Sequence, residues 1–125
     1  MKFTKAGIIL FTEKYEECVN FYGKVLGLKT LHEIDRPGER LTTFSLGDTY
    51  LMVESGGVAC ASSKTAQTCP TKFRFNVSDV EATCNELRSR NLDTEIVVHS
   101  WGMTAEFCDP DGNRCALRTD KGFGD

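Results

Sequence analysis

One pattern, met twice along the chain, constrains the fold more than any single motif does. It is an apolar strand, a helix with acids at its start, a helix stop, and then three short strands. In the first pass, Phe3 to Phe11 is an apolar run with β-branched members and reads as a strand. Thr12 is placed to cap a helix, and Glu13, Glu16 and Glu17 follow near the positive helix end. Tyr15, Cys18, Val19, Tyr22, Val25 and Leu26 recur at helical spacing, and Gly27 supplies the left-handed stop. Leu28 to Asp35, Leu41 to Leu46 and Thr49 to Glu54 then read as strands, joined by turns at Pro37-Gly38 and Gly47-Asp48.

The second pass begins at Lys72 to Val77, again a strand. Ser78 and Glu81 form a capping box, and Val80, Cys84 and Leu87 carry the buried helical face. Asn91 stands where Gly27 stood, so Arg90-Asn91-Leu92 corresponds to Leu26-Gly27-Leu28. Leu92 to His99, Met103 to Cys108 and Arg114 to Arg118 complete the set, and Asp109-Pro110-Asp111-Gly112-Asn113 makes a tight turn before the last strand. Between the passes, residues 55–71 are small, polar and Gly/Ser/Thr-rich, and read as a linker or mobile loop.

The resulting fold class is α+β, with two tandem βαβββ modules (halves 3–54 and 72–118) in one domain over 1–125. An α+β domain without internal symmetry is the alternative. A four-stranded sheet with a helix on one face leaves the other uncovered. Two such sheets are expected to curl into a cleft, where small-molecule sites lie. At 125 residues, 40% of them hydrophobic, the chain has enough apolar surface for a core without metals or disulfides.

Charge and hydropathy exclude other classes. The net charge is −3, and the closest approaches to a basic run (Lys2/Lys5, Arg36/Arg40, Arg88/Arg90) are interrupted, so a nucleic-acid partner is not expected. No segment has the length and apolarity of a membrane span. The N-terminal apolar run stops at Phe11 and passes into acids, unlike a signal peptide, so a cytoplasmic protein is expected. Six cysteines (18, 60, 69, 84, 108 and 115) form no CxxC knuckle, which argues against zinc. Cys60 and Cys69 could be joined, but a reducing compartment favours six free thiols.

Asn20-Phe21-Tyr22 followed by Val25-Leu26-Gly27-Leu28, then Trp101-Gly102, then Phe107-Cys108-Asp109-Pro110-Asp111-Gly112-Asn113, resembles the vicinal oxygen chelate superfamily. That family includes glyoxalases, extradiol dioxygenases, fosfomycin-modifying enzymes and bleomycin-resistance proteins. The match runs from Phe3 to about Arg118. It specifies a fold more than an activity, since one fold hosts many chemistries. The residues themselves read structurally: Phe21 and Tyr22 as core, Asp109 to Asn113 as a hairpin turn.

The resemblance implies metal ligands, His or Gln on the first strand of a half and Glu on its last. The corresponding positions are Gly7, about Lys72, Leu51 or Met52, and Ala116, none of which supplies such a donor. No metal and no cofactor are therefore expected. A displaced set from Glu54, His99 and Glu106 is the remaining metal reading, with His32 as a further donor on the second strand.

Metal-free members of the bleomycin-resistance type sequester a ligand, and the resemblance implies that role here, with a small molecule as partner and a homodimer as assembly. The linker composition also permits swapping of halves between subunits. Trp101, the single tryptophan, reads either as a stacking face or as a core or interface anchor. Beside acids such as Glu106 it would suit a flat or cationic ligand. The ligand-binding set is Trp101, Phe107, Phe44, Tyr50, Glu106 and His99, with no catalytic residue assigned. Two readings compete with the binding protein: a metal-dependent lyase or dioxygenase with displaced ligands, and an interaction module with no small-molecule role.

Overall fold

In a computed structural model of the chain, residues 1–58 and 63–123 are described. Strand, helix and three strands are present twice. The first set is β1 (Gly7–Thr12), α1 (Tyr15–Asn20, running into a π-helical turn over Phe21–Val25), β2 (Thr30–Arg36), β3 (Glu39–Leu46) and β4 (Thr49–Ser55). The second is β5 (Phe73–Val77), α2 (Val80–Ser89), β6 (Glu95–His99), β7 (Gly102–Cys108) and β8 (Arg114–Thr119). The sheets share one topology, β1-β4-β3-β2 and β5-β8-β7-β6, in which the first strand of each set lies parallel to the last and the others are antiparallel. The fold is mixed α+β with two modules, and the chain divides into two compact units, Met1–Cys60 and Ala61–Asp125.

In the first unit the helix covers one face of the sheet. Tyr15 and Thr42 share a hydrogen bond of 2.6 Å, and the rings of Tyr22 and Phe44 meet at 6.5 Å. Thr42 pairs with Val53 and Phe44 with Leu51, so all four side chains lie under the helix, where each is buried. The π-helical turn was not expected. There Leu26 N–H donates to the Phe21 carbonyl and Leu28 N–H to the Tyr22 carbonyl, and Gly27, at φ 74°, ends the helix as its position predicted.

Several boundaries move. β1 begins at Gly7 rather than Phe3, because its only ladder partner is β4 and the Tyr50 N–H to Ala6 carbonyl bond is the last the pair offers. Thr12 does not cap α1. It ends β1, fully buried, with its hydroxyl accepting from the Lys14 N–H at 2.9 Å. In the second unit the cap is Asp79, whose carboxylate accepts from the Ala82 N–H at 3.0 Å, so the expected Ser78/Glu81 capping box lies one residue early. β6 starts at Glu95 rather than Leu92, since Thr94 reaches the Glu106 carbonyl with its hydroxyl instead of its main chain.

Asn91 behaves as predicted, with φ 65° at the end of α2. Val80, Cys84 and Leu87 are buried against the face that carries Phe73, Ala105, Phe107, Cys115 and Leu117. Part of the expected linker is anchored: Lys64 N–H donates to the Gly112 carbonyl and its ammonium to Asn113 Oδ1 at 2.8 Å. Cys18, Cys69, Cys84, Cys108 and Cys115 are free thiols, while Cys60, and with it the Cys60–Cys69 question, lies outside the described residues. Among the described residues no helix is long and apolar enough to cross a membrane.

Candidate functional site

Strand register decides which side chains each unit leaves off its helix-covered face. In the first sheet that uncovered face carries Gly7, Ile9 and Phe11 of β1, Tyr50, Met52 and Glu54 of β4, Leu41 and Thr43 of β3 and His32 and Ile34 of β2. The choice between Leu51 and Met52 is thereby resolved: Met52 shares the uncovered face with Gly7, and Leu51 is buried under the helix. Gly7 has a local reason to be glycine, for the Tyr50 ring occupies the place of its Cβ.

In the second sheet the uncovered face carries Arg74 and Asn76 of β5, Ala116 and Arg118 of β8, Thr104 and Glu106 of β7, and Glu95, Val97 and His99 of β6. Lys72, just before β5, bonds to both oxygens of Glu106 at 3.0 and 3.2 Å. The residues at the metal positions do not fit a divalent cation. Gly7 and Ala116 bring no donor, Met52 brings a thioether where a carboxylate is needed, and Lys72 brings a cation. Glu54 belongs to the first unit, while Glu106 is held by Lys72 and His99 by Thr104. Among the described residues no three His, Cys, Asp or Glu side chains come together as a metal site.

Trp101 has the most developed surroundings on this face. It sits in the turn between β6 and β7 and is 47% exposed. The His99 ring stacks on it at 4.6 Å with an interplanar angle of 1°. His99 Nε2 shares a hydrogen bond of 2.9 Å with the Thr104 hydroxyl, which fixes the ring's orientation. The Arg118 guanidinium lies 4.4 Å from the Trp101 ring centre and 4.6 Å from that of Phe123. Gly102, at φ 149°, lets the strand turn here, and a Cβ on it would meet the Thr119 side chain at 2.9 Å. The Thr119 hydroxyl is then free to accept from the Met103 N–H at 2.8 Å. Beside the stack lies a shallow depression of about 580 Å³, bounded by Val98, Trp101, Met103, Thr119, Lys121 and Gly122.

Of the six ligand-binding residues expected from the sequence, the structure brings Trp101 and His99 into contact and places Glu106 on the same sheet face as His99. Phe107 packs on the helix side, its ring 6.5 Å from Phe75. Phe44 and Tyr50 belong to the first unit. Phe44 forms the floor of a separate depression of about 390 Å³ next to the π-helical turn, where Gly23 comes so close that a Cβ would lie 3.1 Å from the ring. Arg40 closes one side of that depression, 4.5 Å from the Tyr15 ring and bonded to Asp35 and Glu16. Desolvation lowers its pKa, but the two carboxylates outweigh this and hold the guanidinium above its usual range.

The sequence pattern gave no sign of Arg118 or Phe123 at this site. It set an acid beside Trp101, and the structure sets a guanidinium there. Arg118 is far from the tryptophan in sequence and reaches it only because β7 and β8 are neighbours.

The chain resembles known proteins over nearly its whole length. A search of curated protein sequences gave no significant match. Among solved structures, an antibiotic binding protein from Streptomyces sp. CB03234, TnmS3, is 21% identical, with 95% of this chain and 98% of that one covered and a TM-score of 0.73. A glyoxalase/bleomycin resistance protein from the same organism is 21% identical over 92% and 99%, with a TM-score of 0.69. A lactoylglutathione lyase from Agrobacterium tumefaciens is 17% identical over 95% of each chain, with a TM-score of 0.71. These likenesses show a shared fold. The family model of the Glyoxalase/Bleomycin resistance protein/Dioxygenase superfamily matches residues 6–117, which takes in both repeated modules, the helix stop at Gly27 and the DPDGN turn. By that match the chain belongs to the glyoxalase/bleomycin resistance protein/dioxygenase superfamily.

Proposed function

We propose that this chain is a small-molecule binding protein, which holds a flat ligand on the uncovered face of its second sheet without a metal. The observation that carries the reading is Trp101: the single tryptophan is held half-exposed in an ordered stack instead of being spent in the core. A planar ring on that platform would gain stacking and dispersion energy on the order of 1 kcal/mol beyond the area it buries. The antibiotic-binding function of one structural relative supports the same role. The donor set that the family resemblance implies for metal-dependent chemistry is one that Gly7, Met52, Lys72 and Ala116 do not provide.

The two units are proposed to work as one domain, and two chains to pair as a homodimer, which the mass in solution checks. Cytoplasmic residence belongs to the same proposal, supported by the free thiols among the described residues.

A thermal-shift screen of planar aromatic compounds tests the reading. A ligand at a hundred times its Kd adds about 2.7 kcal/mol to stability, a rise of several degrees in the midpoint. Active compounds are expected to lose that effect on a folded Trp101→Leu variant. An undiminished shift in the variant overturns the assignment of the site.

A further inference from the structure

The chemistry around Trp101 narrows the ligand class, and the narrowing rests on that platform being the binding site. Among the described residues no carboxylate lies within ion-pair distance of Arg118; its interactions are the two ring contacts and a 2.6 Å bond from Nη1 to the Thr119 carbonyl. A guanidinium stacked against rings has its faces occupied, while its remaining N–H groups point outward in one plane. Planar oxyanions satisfy such N–H groups best. Lys121, on the rim of the adjoining depression, adds a second positive charge. A cationic ligand would meet both, whatever the overall charge of −3.

Phe123 lies against the Arg118 guanidinium at 4.6 Å. It is 51% exposed, and it is returned to Arg118 by a short turn in which Gly122 adopts φ 80° and the Phe123 N–H donates to the Asp120 carbonyl at 3.1 Å.

We propose that this face selects planar aromatic anions, with Arg118 binding the negative charge.

The test uses the full chain and three probes of one shape: 2-naphthoate, 2-naphthamide and 2-naphthylmethylammonium. Binding is read from the indole N–H signal of Trp101, unique in the chain. The carboxylate is expected to bind about tenfold more tightly than the amide, with the ammonium weakest. In Arg118→Gln the carboxylate and amide become equal. Equal affinities in the wild type or a preference that survives Arg118→Gln overturns the proposal while leaving an aromatic site in place. No perturbation of the indole by any probe at millimolar concentration overturns both the proposal and the site. If Arg118→Gln does not fold, the wild-type ranking still decides.

Discussion

Asp109 shows how one side chain holds a turn together. Its carboxylate accepts from the Asp111 and Asn113 N–H groups, each at 2.9 Å, and from the Asn113 side-chain amide at 2.8 Å, all in buried surroundings. Removing it strands three buried donors, each with a desolvation penalty of about 1–3 kcal/mol. Asp109→Ala is therefore expected to lower stability by roughly 3 kcal/mol or more, measured as the fall in urea midpoint. The loss should exceed that of Tyr15→Phe, which gives up one hydrogen bond to Thr42 and about 1 kcal/mol. At Gly102 the restriction is steric: both the φ of 149° and the Thr119 contact oppose a side chain. Gly102→Ala should destabilise by about 1–3 kcal/mol and shift the Trp101 emission, because the same turn carries the indole. An unmoved emission spectrum in a destabilised variant would separate the turn from the platform.

At the scale of elements, the helix stops give the cleanest comparison. Gly27 and Asn91 adopt φ 74° and 65° at equivalent places. Alanine at either should destabilise by about 1 kcal/mol, and Asn91→Gly should be neutral or slightly stabilising, as thermal midpoints would report. Asp79→Ala removes the α2 cap and should lower stability by about 1 kcal/mol, whereas Ser78→Ala should change little, since the cap lies at the next residue. These correspondences were legible in the sequence because helix stops, turns and period-3.6 faces are written locally. What was not legible was set by neighbours. Capping depends on where the strand before a helix releases the chain, and that displaced both expected caps, at Thr12 and at Ser78. Sheet parity depends on register, so only the structure assigns Phe44 and Phe107 to the helix-covered faces. Trp101 and His99, two residues apart, were found together, while Arg118 arrives by strand pairing and left no local signal.

Across the whole molecule, the two uncovered faces differ in where their apolar and charged groups lie. The first unit presents Ile9, Phe11, Ile34, Leu41, Tyr50 and Met52, with His32, Arg36 and Glu39 on β2 and β3 and Glu54 at the end of β4, and the second presents Arg74, Glu95, His99, Glu106 and Arg118. Among the described residues neither set brings three His, Cys, Asp or Glu side chains together as a metal site. Elemental analysis after incubation with zinc, nickel, manganese and iron(II), then desalting, is expected to find far less than one metal per chain, and a stoichiometric ion would overturn the binding-protein reading. Thiol titration gives a second check on the packing. Cys18, Cys84 and Cys115 are fully buried and should react with an aromatic disulfide reagent only after denaturation.

The order of the strands also bears on how the protein behaves when concentrated. β1, β2, β5 and β6 each pair on one side only within their sheets, so each has a rank of main-chain donors and acceptors open along its outer margin. On β2 that margin is crowded with His32, Glu33, Asp35 and Arg36, whose charges and hydration keep a second molecule from aligning. On β6 the middle is Ile96-Val97-Val98, with Val98 72% exposed. Self-adhesion during storage or overproduction should therefore start at the apolar margins, that of β6 or that of β1 with its exposed Ile8, Ile9 and Phe11, and a lysine at Val98 is the gatekeeper that would suppress the β6 share.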